Sequence, residues 1–452
     1  MNSKECIAMI LAGGRGKRLG ALTNYYSKPA VYYGGNHRII DFALSNCKNS
    51  GIHVIGFLSQ YFSLDLQVYI QELDIYNNEK EDGKIMMLPS NNKESEYTGT
   101  ANAVYQNIEF IDILSPKNVL ILSSDHIYKM NYQEMLDFHQ VQNADVTIGA
   151  IKVDAAEAHR LGILDIDNNS LVRRFEEKPN KPKGTMASMG IYIFKWEVLR
   201  RMLIRDNMNL STQHDFGKNI IPNAIHEKKK VFAFQFKNYW RDVGTVYSLW
   251  KSNMDLLQTP SVFSVDDEKW KILSCHGNPR RLDIPFEMPV EMRSNKTPRS
   301  LFDDSAISRI KGSIVSERCS VFGSVENSIL SSGVTIREGA KVVDSIIMPN
   351  AYIGKNARIY KAIIGSDAKI MDNAEIGNSS GSNYFVDSQI CFKGVSLVAP
   401  WTYIPENLKF SINSHIDNDF LQYLGKETYG QLYYINKKPE RCSGKLSEES
   451  NA

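Results

Sequence analysis

Aliphatic residues in the second half of the chain recur at spacings of six, six and five residues, so the pattern repeats every 17 residues. The positions that carry the recurrence are Leu330, Ile336, Val342, Ile347, Ile353, Ile359, Ile364, Ile370 and Ile376. One aliphatic side chain for each flat face can stack into a continuous core in a parallel β-helix. A plain β-sandwich, which alternates with period two, does not produce this recurrence. The pattern therefore predicts a left-handed, hexapeptide-repeat β-helix that loses its repeat beyond about residue 378.

The first 257 residues show a different pattern, in which short apolar runs alternate with longer helix-like stretches. Runs at 6–11, 53–58, 118–122 and 145–151 are rich in Ile, Val and Leu, as buried strands are. Helices are predicted at 41–49, at 101–113 with Thr100 as the cap, and at 132–144. This alternation indicates an α/β domain with a doubly wound, mostly parallel sheet, in which ligands bind at the carboxyl ends of the strands.

A proline-rich stretch separates the two patterns. Its prolines are Pro260, Pro279, Pro285, Pro289 and Pro298. Little periodicity accompanies them, so an extended surface linker is expected. The chain of 452 residues therefore divides into an α/β domain at 1–257, a linker at 258–303 and a β-helix domain with an irregular tail at 304–452.

Composition limits the partners and the location. Fifty-three basic residues against 51 acidic ones leave a net charge of +2, which favours neither nucleic acid nor an anionic membrane. No apolar run approaches the roughly 20 residues needed to span a bilayer. The six cysteines are scattered, so neither a disulfide framework nor a zinc cluster is expected. We expect a soluble, cytoplasmic protein.

A glycine-rich loop follows the first predicted strand, in the order Leu11-Ala12-Gly13-Gly14-Arg15-Gly16-Lys17-Arg18-Leu19. It fits neither common phosphate motif, because Leu19 replaces the last glycine of a dinucleotide fingerprint and a Walker A loop would need glycine at 11. Its backbone N–H groups could still cradle phosphate. Arg18 and Lys28 would suit a polyphosphate, although solvated surface charges are the commoner role of such residues.

Two aspartates follow apolar runs at predicted strand ends. Asp125 comes after the run 119–122, and Asp242 lies at a second junction between a strand and a helix. Two carboxylates together with substrate phosphates are how Mg²⁺ is usually held. The alternative for each aspartate is a helix N-cap.

Two further stretches are candidates for binding. The stretch 176–179 ends the apolar run 171–175, and Pro179 would stop the strand and hold Lys178 at the sheet margin, where it could meet an anion. The alternative is an exposed charge cluster in a turn. Gly190 interrupts an apolar strand after Ser188, as happens where another group approaches the backbone closely.

Taken together, these motifs resemble the bacterial glucose-1-phosphate adenylyltransferases, also called ADP-glucose pyrophosphorylases. The matching stretches are 12–19, 28–31, 38–42, 99–107, 125–130, 175–179, 187–194, 214–218 and 239–245. They run in family order over most of residues 6–257. The glycine loop and Glu-Lys-Pro are shared with other sugar nucleotidyltransferases, whereas the Gly-Thr-Ala, Ser-Met-Gly-Ile-Tyr and His-Asp-Phe-Gly-Lys stretches favour the adenylyl branch.

The resemblance implies magnesium-dependent transfer of AMP from ATP to α-D-glucose 1-phosphate, which gives ADP-glucose and pyrophosphate for glycogen synthesis. It implies that Asp125 and Asp242 hold Mg²⁺, with Asp125, Arg18 and Lys28 as the catalytic residues. The implied glucose 1-phosphate site consists of Tyr97, Gly162, Glu177, Lys178 and Ser188. The implied nucleotide site consists of Leu11, Ala12, Gly13, Gly14, Gly16, Gly99 and Thr100.

The sequence also departs from the family at several positions. Ser124 stands where the family usually has Gly before the metal-binding aspartate, and Tyr25 and Tyr26 replace basic residues near the effector site. Glu96 and Thr98 flank Tyr97, where a Trp and a basic residue are common. These changes predict altered or absent activation by sugar phosphates and leave the choice of nucleotide open.

Three alternative functions follow. The chain could be a non-catalytic regulatory subunit, although such subunits typically lose the metal aspartate or the phosphate-binding cations that are present here. It could use UTP or GTP instead of ATP. An acyltransferase on the β-helix would need a histidine there, and none lies between 304 and 377. The family also implies a homotetramer, or a heterotetramer with a regulatory homologue.

Overall fold

The computed structural model describes residues 5–13, 16–59, 64–73, 84–88, 97–260, 262–274, 280–282, 309–378 and 392–419. Within these ranges the chain forms an α/β domain followed by a parallel β-helix, which confirms the predicted fold class. The helices of this part of the chain include none long and apolar enough to cross a membrane.

The α/β domain is built on one mixed sheet. The strands of this domain are β1 (Cys6–Ala12), β2 (Tyr32–Tyr33), β3 (His37–Arg38), β4 (Val54–Ser59), β5 (Lys84–Leu88), β6 (Asn118–Ser123), β7 (His126–Tyr128), β8 (Val146–Lys152), β9 (Gly162–Ile166), β10 (Val172–Glu177), β11 (Met186–Lys195), β12 (Val231–Phe236) and β13 (Trp240–Asp242). The order in the sheet is β10-β9-β11-β6-β1-β4-β5, and β8 and β12 extend from β11. Strands β6, β1, β4 and β5 are parallel, whereas β11 runs antiparallel to β6.

Helices cover both faces of this sheet. The α-helices are α1 (Ile39–Asn49), α2 (Leu64–Glu72), α3 (Thr100–Tyr105), α4 (Ile108–Leu114), α5 (Tyr132–Val141), α6 (Ala155–Ala158), α7 (Trp196–Asn207), α8 (Ile221–His226) and α9 (Val246–Asp255). Alternate residues of β1 face opposite layers: Ile10 packs with α1, α2 and α5, whereas Ile7 packs with α3, α7 and α8. The sheet is therefore buried on both faces, which explains its nearly continuous apolar strands.

The single helix predicted at 101–113 is wrong, because the structure has two short helices, α3 and α4, in its place. Asn107 separates them with φ −114° and ψ 21°, and its side-chain amide donates to the carbonyl of Ala103 at 2.9 Å. An asparagine side chain that bonds the carbonyl four residues earlier in this way competes with helix continuation. The predicted cap is also wrong, since Gly99 caps α3 and Thr100 lies inside it.

The second domain is a parallel β-helix with three faces. Its strands are β15 (Ile310–Lys311), β16 (Ser313–Val315), β17 (Ser320–Val321), β18 (Ser324–Glu326), β19 (Ile329–Leu330), β20 (Thr335–Ile336), β21 (Lys341–Val343), β22 (Ile346–Ile347), β23 (Tyr352–Ile353), β24 (Arg358–Tyr360), β25 (Ala362–Ile364), β26 (Lys369–Ile370), β27 (Glu375–Ile376), β28 (Ser396–Val398), β29 (Tyr403–Ile404), β30 (Lys409–Phe410) and β31 (His415–Ile416). Every aliphatic residue of the predicted recurrence is buried in its core. The predicted β-helix is thereby confirmed, and it is consistent with the left-handed form.

The repeat continues beyond residue 378, contrary to the sequence prediction. Val398 pairs in parallel with Ile364, and Ile404, Phe410 and Ile416 follow it at intervals of six in the same core. The sequence does not reveal this recurrence because 34 residues, instead of 17, separate Ile364 from Val398, its partner in the next coil. This extra coil brings a histidine, His415, into the β-helix, whereas residues 304–377 contain none.

The described part of the predicted linker packs more deeply than expected. Phe263, Val265 and Ile272 are buried in an apolar cluster shared by both domains, and Phe263 stacks on Tyr239 with ring centroids 4.6 Å apart. A short strand, β14 (Arg280–Leu282), adds to the β-helix by antiparallel pairing with β16. The domain boundaries themselves stay a prediction.

Candidate active site

Asp125 and Asp242 come together at the edge of the sheet where β1 and β6 end. Strands β7 and β13 pair antiparallel and set Asp242 opposite His126. One carboxylate oxygen of each aspartate and one ring nitrogen of His126 all lie within 4.8 Å of one another. The sequence predicted both aspartates but missed His126, whose only signal is its position next to Asp125.

Lys28 lies between the two carboxylates. Its ammonium group hydrogen-bonds Asp125 Oδ2 and lies 3.9 Å from Asp242 Oδ1. Lys28 opens a short 3₁₀ helix, Lys28–Ala30, in which Pro29 favours the first turn. The local sequence thereby directs a partly buried cation towards the carboxylates.

The environment of Asp125 keeps it ionised. Burial raises the pKa of its carboxyl, but the charges of Lys28 and His126 and the hydrogen bonds from Lys28 and Ser123 outweigh that effect and hold the pKa well below its usual range. An ionised carboxylate at neutral pH is what a divalent cation requires.

Gly244 lets Arg18 join this group. A Cβ atom at Gly244 would lie 2.9 Å from Asp242 Oδ1, 3.0 Å from Arg18 Nη2 and 3.2 Å from Lys28 Nζ. A side chain at this position would require these charged groups to shift, so glycine allows them to lie this close together. Sequence reasoning missed Gly244, although it lies two residues after the predicted metal ligand.

The end of β1 is tied to Asp125 through Ser124. The backbone N–H and the hydroxyl of Ser124 both donate to the carbonyl of Leu11, at 3.2 and 2.9 Å. Leu11 and Ala12 form the end of β1, and the Ser124 side chain is buried. The serine that departs from the family pattern therefore joins the two strand ends.

The glycine loop leads from β1 to the segment that carries Arg18. Gly13 is exposed and a Cβ atom there would meet nothing within 4 Å, so its backbone is open to a ligand. Gly16 has a left-handed conformation at φ 61° and accepts a hydrogen bond from the Thr23 hydroxyl at 3.1 Å. Gly14, which the sequence also assigned to nucleotide binding, lies outside the described residues.

A second group of predicted residues forms around Glu177. Glu177 ends β10 opposite Gly162 of β9. Cβ atoms at Gly162 and Gly217 would lie 2.9 and 2.6 Å from Glu177 Oε2, so both glycines make room for this carboxylate. Lys178 follows with its Nζ 3.0 Å from Glu177 Oε1, and its side chain is 61% exposed. Strand β10 ends before Pro179, as predicted.

Strand β11 links the two groups. Ser188 lies where the β11–β8 register shifts, and its hydroxyl donates to the Tyr192 hydroxyl at 3.3 Å. Gly190 has φ 67° in this bulge, and a Cβ atom there would lie 3.2 Å from His126 Cε1. The close approach expected at Gly190 is therefore confirmed, and the approaching group is the neighbour of Asp125.

Gly99 and Thr100 pack against the segment after α7. A Cβ atom at Gly99 would lie 2.3 Å from the carbonyl oxygens of Gln213 and His214. The Thr100 hydroxyl donates to Asp215 Oδ2 at 2.9 Å and accepts from the Phe216 N–H at 3.0 Å. Sequence reasoning did not name Asp215 or Gly217 as site residues, although the His-Asp-Phe-Gly-Lys stretch was a signal for them.

Tyr97 differs from the other predicted binding residues because its side chain is buried in the core. Its hydroxyl donates to the Leu88 carbonyl at 3.2 Å and accepts from the Asn107 amide at 3.3 Å. Burial raises the pKa of Tyr97 above its ordinary value. Any contact of Tyr97 with a ligand stays a prediction.

This fold and this site define a sugar nucleotidyltransferase type of enzyme joined to a hexapeptide β-helix. Residues 7–259 match the family model for nucleotidyl transferases. Residues 298–398 match the model described as GlmU-like, C-terminal hexapeptide.

The chain belongs to the glucose-1-phosphate adenylyltransferase family. It is 44% identical over 420 residues to the glucose-1-phosphate adenylyltransferase of Acetivibrio thermocellus, an alignment that covers 92% of this chain and 94% of the relative. The enzyme of Clostridium perfringens is 48% identical over 78% of this chain and 87% of its own length. For Bacillus cytotoxicus the identity is 43%, over 85% of this chain and 97% of the relative. The resemblance seen in the sequence is thereby confirmed.

Proposed function

We propose that the protein transfers AMP from ATP to α-D-glucose 1-phosphate, giving ADP-glucose and pyrophosphate for glycogen or another α-glucan. The observation that carries this proposal is the meeting of Asp125, Asp242, Lys28 and Arg18 at the end of β1 and β6. Carboxylates for a cation and two basic groups for phosphates are the requirements of phosphoryl transfer.

The residues present fit Mg²⁺. Asp242 Oδ1 is buried and accepts no hydrogen bond from the described residues, and an oxygen of Asp125 lies within reach of the same point. Oxygen ligands from one or two carboxylates are what Mg²⁺ prefers. When bound, the ion would neutralise charge on the nucleotide phosphates.

The reaction needs positioning more than acid–base chemistry. A phosphate monoester, whose second pKa is about 6, is largely dianionic at pH 7, so the glucose 1-phosphate oxygen can attack the α-phosphorus without a general base. The bond from that phosphorus to the bridging oxygen breaks, and pyrophosphate leaves. Arg18 and Lys28 would bind the phosphates and stabilise the charge that builds on the leaving group.

The group around Glu177 would bind glucose 1-phosphate. Lys178 would pair with the sugar phosphate, and Glu177 would accept hydrogen bonds from sugar hydroxyls. Gly162, Ser188 and Tyr97 would complete this pocket. The glycine loop (Leu11, Ala12, Gly13, Gly14, Gly16) together with Gly99 and Thr100 would contact the nucleotide.

Two alternatives remain to be tested. A non-catalytic regulatory subunit is disfavoured because the residues assigned to cations and phosphates are all present. Use of UTP or GTP would point to differences around Ser124, at the junction of β1 and β6.

We also propose a homotetramer, with a heterotetramer that includes a regulatory homologue as the alternative. Light scattering at micromolar concentration would give four times the monomer mass, and a monomeric mass would contradict the proposal.

A cytoplasmic location is proposed as well, because Cys6, Cys47 and Cys319 are buried free thiols, as is usual in that compartment.

The direct experiment detects the product. Incubation with ATP, glucose 1-phosphate and Mg²⁺ should yield ADP-glucose, and Asp125→Asn should remove at least about 99% of the turnover. Asp137→Asn, an exposed aspartate on α5, is the matched control and should keep full activity. An Asp125→Asn enzyme with near-normal turnover would refute the role of Asp125.

A further inference from the structure

The segment that carries Arg18 is bound to the last described coil of the β-helix. This segment, Lys17–Asn24, is a 3₁₀ helix interrupted at Gly20. The buried N–H of Ala21 donates to His415 Nε2 at 3.0 Å. His415 therefore accepts through Nε2 as a neutral ring, and this nitrogen is not free to serve as a base. An acyltransferase role for it is disfavoured on that ground.

An unusual residue lies in the same coil. Trp401 has φ 55°, in the left-handed region that bulky side chains rarely adopt. The four preceding coils have Arg318, Gly333, Asn350 and Asp367 at the equivalent corner, all with positive φ, and Gly, Asn and Asp adopt that conformation more readily than tryptophan does. A strained tryptophan persists only when its surroundings hold it there, and it often marks a functional constraint.

The backbone of Trp401 is hydrogen-bonded within the β-helix, whereas its side chain contacts the catalytic domain. Its ring contacts those of Tyr25 and Tyr26, with centroids 5.2 and 5.7 Å apart. These tyrosines lie in the chain between Arg18 and Lys28. Trp401 thus contacts the stretch that connects the two cations of the phosphate site.

A shared apolar cluster supports these contacts. Leu19 and Leu22, on either side of Ala21, are buried with Phe392, Val395 and Leu397 of the β-helix. The same cluster contains residues from the start of α9, which follows Asp242 and Gly244. The phosphate side of the site therefore rests directly on the β-helix.

We propose that Trp401 and His415 are positioning residues for the transfer reaction. They hold the stretch from Arg18 to Lys28 so that both cations reach the nucleotide phosphates. This proposal rests on the function proposed above for Arg18 and Lys28. It also gives a role to Tyr25 and Tyr26, which replace basic residues common in the family, because their rings provide the contact with Trp401.

The test compares four variants. His415→Leu removes the acceptor but keeps an apolar contact with Phe392, whereas His415→Gln provides an amide oxygen at a similar distance from the backbone. Trp401→Asn places at this corner the residue type that adopts the same backbone at Asn350. Tyr403→Ser is the control, because Tyr403 is an exposed ring of the same coil without an aromatic partner among the described residues.

We expect His415→Leu and Trp401→Asn to lower kcat/KM for ATP by about 10- to 100-fold, as small misplacements of catalytic groups do. The KM for glucose 1-phosphate should change less than about twofold, because the Glu177 group lies on other strands. His415→Gln should recover most of the loss, and Tyr403→Ser should behave as the unaltered protein. An equal rise in the KM values of both substrates, or no loss of kcat/KM, would overturn the proposal.

Hydrogen exchange of the Ala21 amide provides a readout that does not depend on catalysis. Exchange should be faster in His415→Leu than in the unaltered protein, and His415→Gln should restore slow exchange. Unchanged exchange would overturn the proposed contact even if the enzyme is active. If exchange changes as predicted but the unaltered protein makes no ADP-glucose, the contact is supported and the proposed function is refuted.

Discussion

Lys28 and a divalent cation would compete for the carboxylate of Asp125, whose Oδ2 accepts a hydrogen bond from Lys28 in this structure. Two like charges cannot share one carboxylate oxygen without strong repulsion. We therefore expect Lys28 to exchange Asp125 for a phosphate oxygen when metal and nucleotide bind. Its position beside Arg18 and Gly244 leaves such a phosphate close to both cations.

Lys178 should determine affinity for the sugar phosphate. Lys178→Ala removes a charged donor, which typically contributes about 1.5–3 kcal/mol, so the KM for glucose 1-phosphate should rise about 10- to 100-fold. The KM for ATP should change little. Steady-state kinetics with Lys181→Ala as the control, an exposed lysine three residues further on, would check this. A normal sugar-phosphate KM would exclude the assigned role.

His37 should make the protein less stable in acid. Burial, with a smaller effect of the Lys129 charge, lowers the pKa of His37 to about 4, against about 6.5 in an unfolded chain. Between these pH values the unfolded chain binds more protons than the folded one. Acidification through this window therefore reduces the His37 contribution to the free energy of unfolding by about 2 kcal/mol at pH 5. The neighbouring Asp41, whose pKa burial raises to about 7, acts in the opposite direction.

His37→Phe should remove this pH dependence. Neither ring nitrogen of His37 has a hydrogen-bond partner among the described residues, and the ring packs on Phe42. Denaturant unfolding should show that the free energy of unfolding falls between pH 7 and pH 5 by about 2 kcal/mol less in His37→Phe than in the unaltered protein. Equal losses in the two proteins would contradict the prediction, and His159→Asn, at an exposed position, serves as the control.

At the scale of elements, the loop after β13 should be sensitive to one methyl group. Gly244→Ala would bring Cβ to within 3.2 Å of Asp242, Arg18 and Lys28 atoms at once. We expect turnover to fall at least about 10-fold, while the thermal midpoint changes little. Gly184→Ala is the control, because the nearest atom to its Cβ would be at an ordinary 3.8 Å. Full activity in Gly244→Ala would contradict this geometry.

The sequence predicted the elements that have a strong hydrophobic period and the residues that directly follow an apolar strand. The 17-residue recurrence gave the β-helix, and apolar runs located β1 and β6 and therefore Asp125. The roles of His126 and Gly244 could not be predicted, because they depend on the pairing of β7 with β13. The break at Asn107 depends on a side-chain hydrogen bond that competes with the helix, which periodicity does not reveal.

At the scale of the whole molecule, the two domains share one apolar cluster. Two adjacent isoleucines allow the contribution of this shared cluster to be distinguished from that of the β-helix core. Ile346 belongs to the shared cluster, whereas Ile347 belongs to the core of the β-helix alone. Each change to Ala should cost about 2–5 kcal/mol. Only Ile346→Ala should weaken the coupling between domains, giving two calorimetric transitions where the unaltered protein and Ile347→Ala give one. Identical profiles for the two variants would contradict this.

The central claim is that this site transfers the AMP of ATP to glucose 1-phosphate. Pyrophosphate release from glucose 1-phosphate, measured with ATP, UTP and GTP in parallel and with or without Mg²⁺, tests it most directly. We predict release with ATP alone and only when Mg²⁺ is present. Release with UTP or GTP in preference to ATP would contradict the adenylyl assignment. The absence of release with all three nucleotides would contradict an active enzyme and favour the regulatory-subunit alternative.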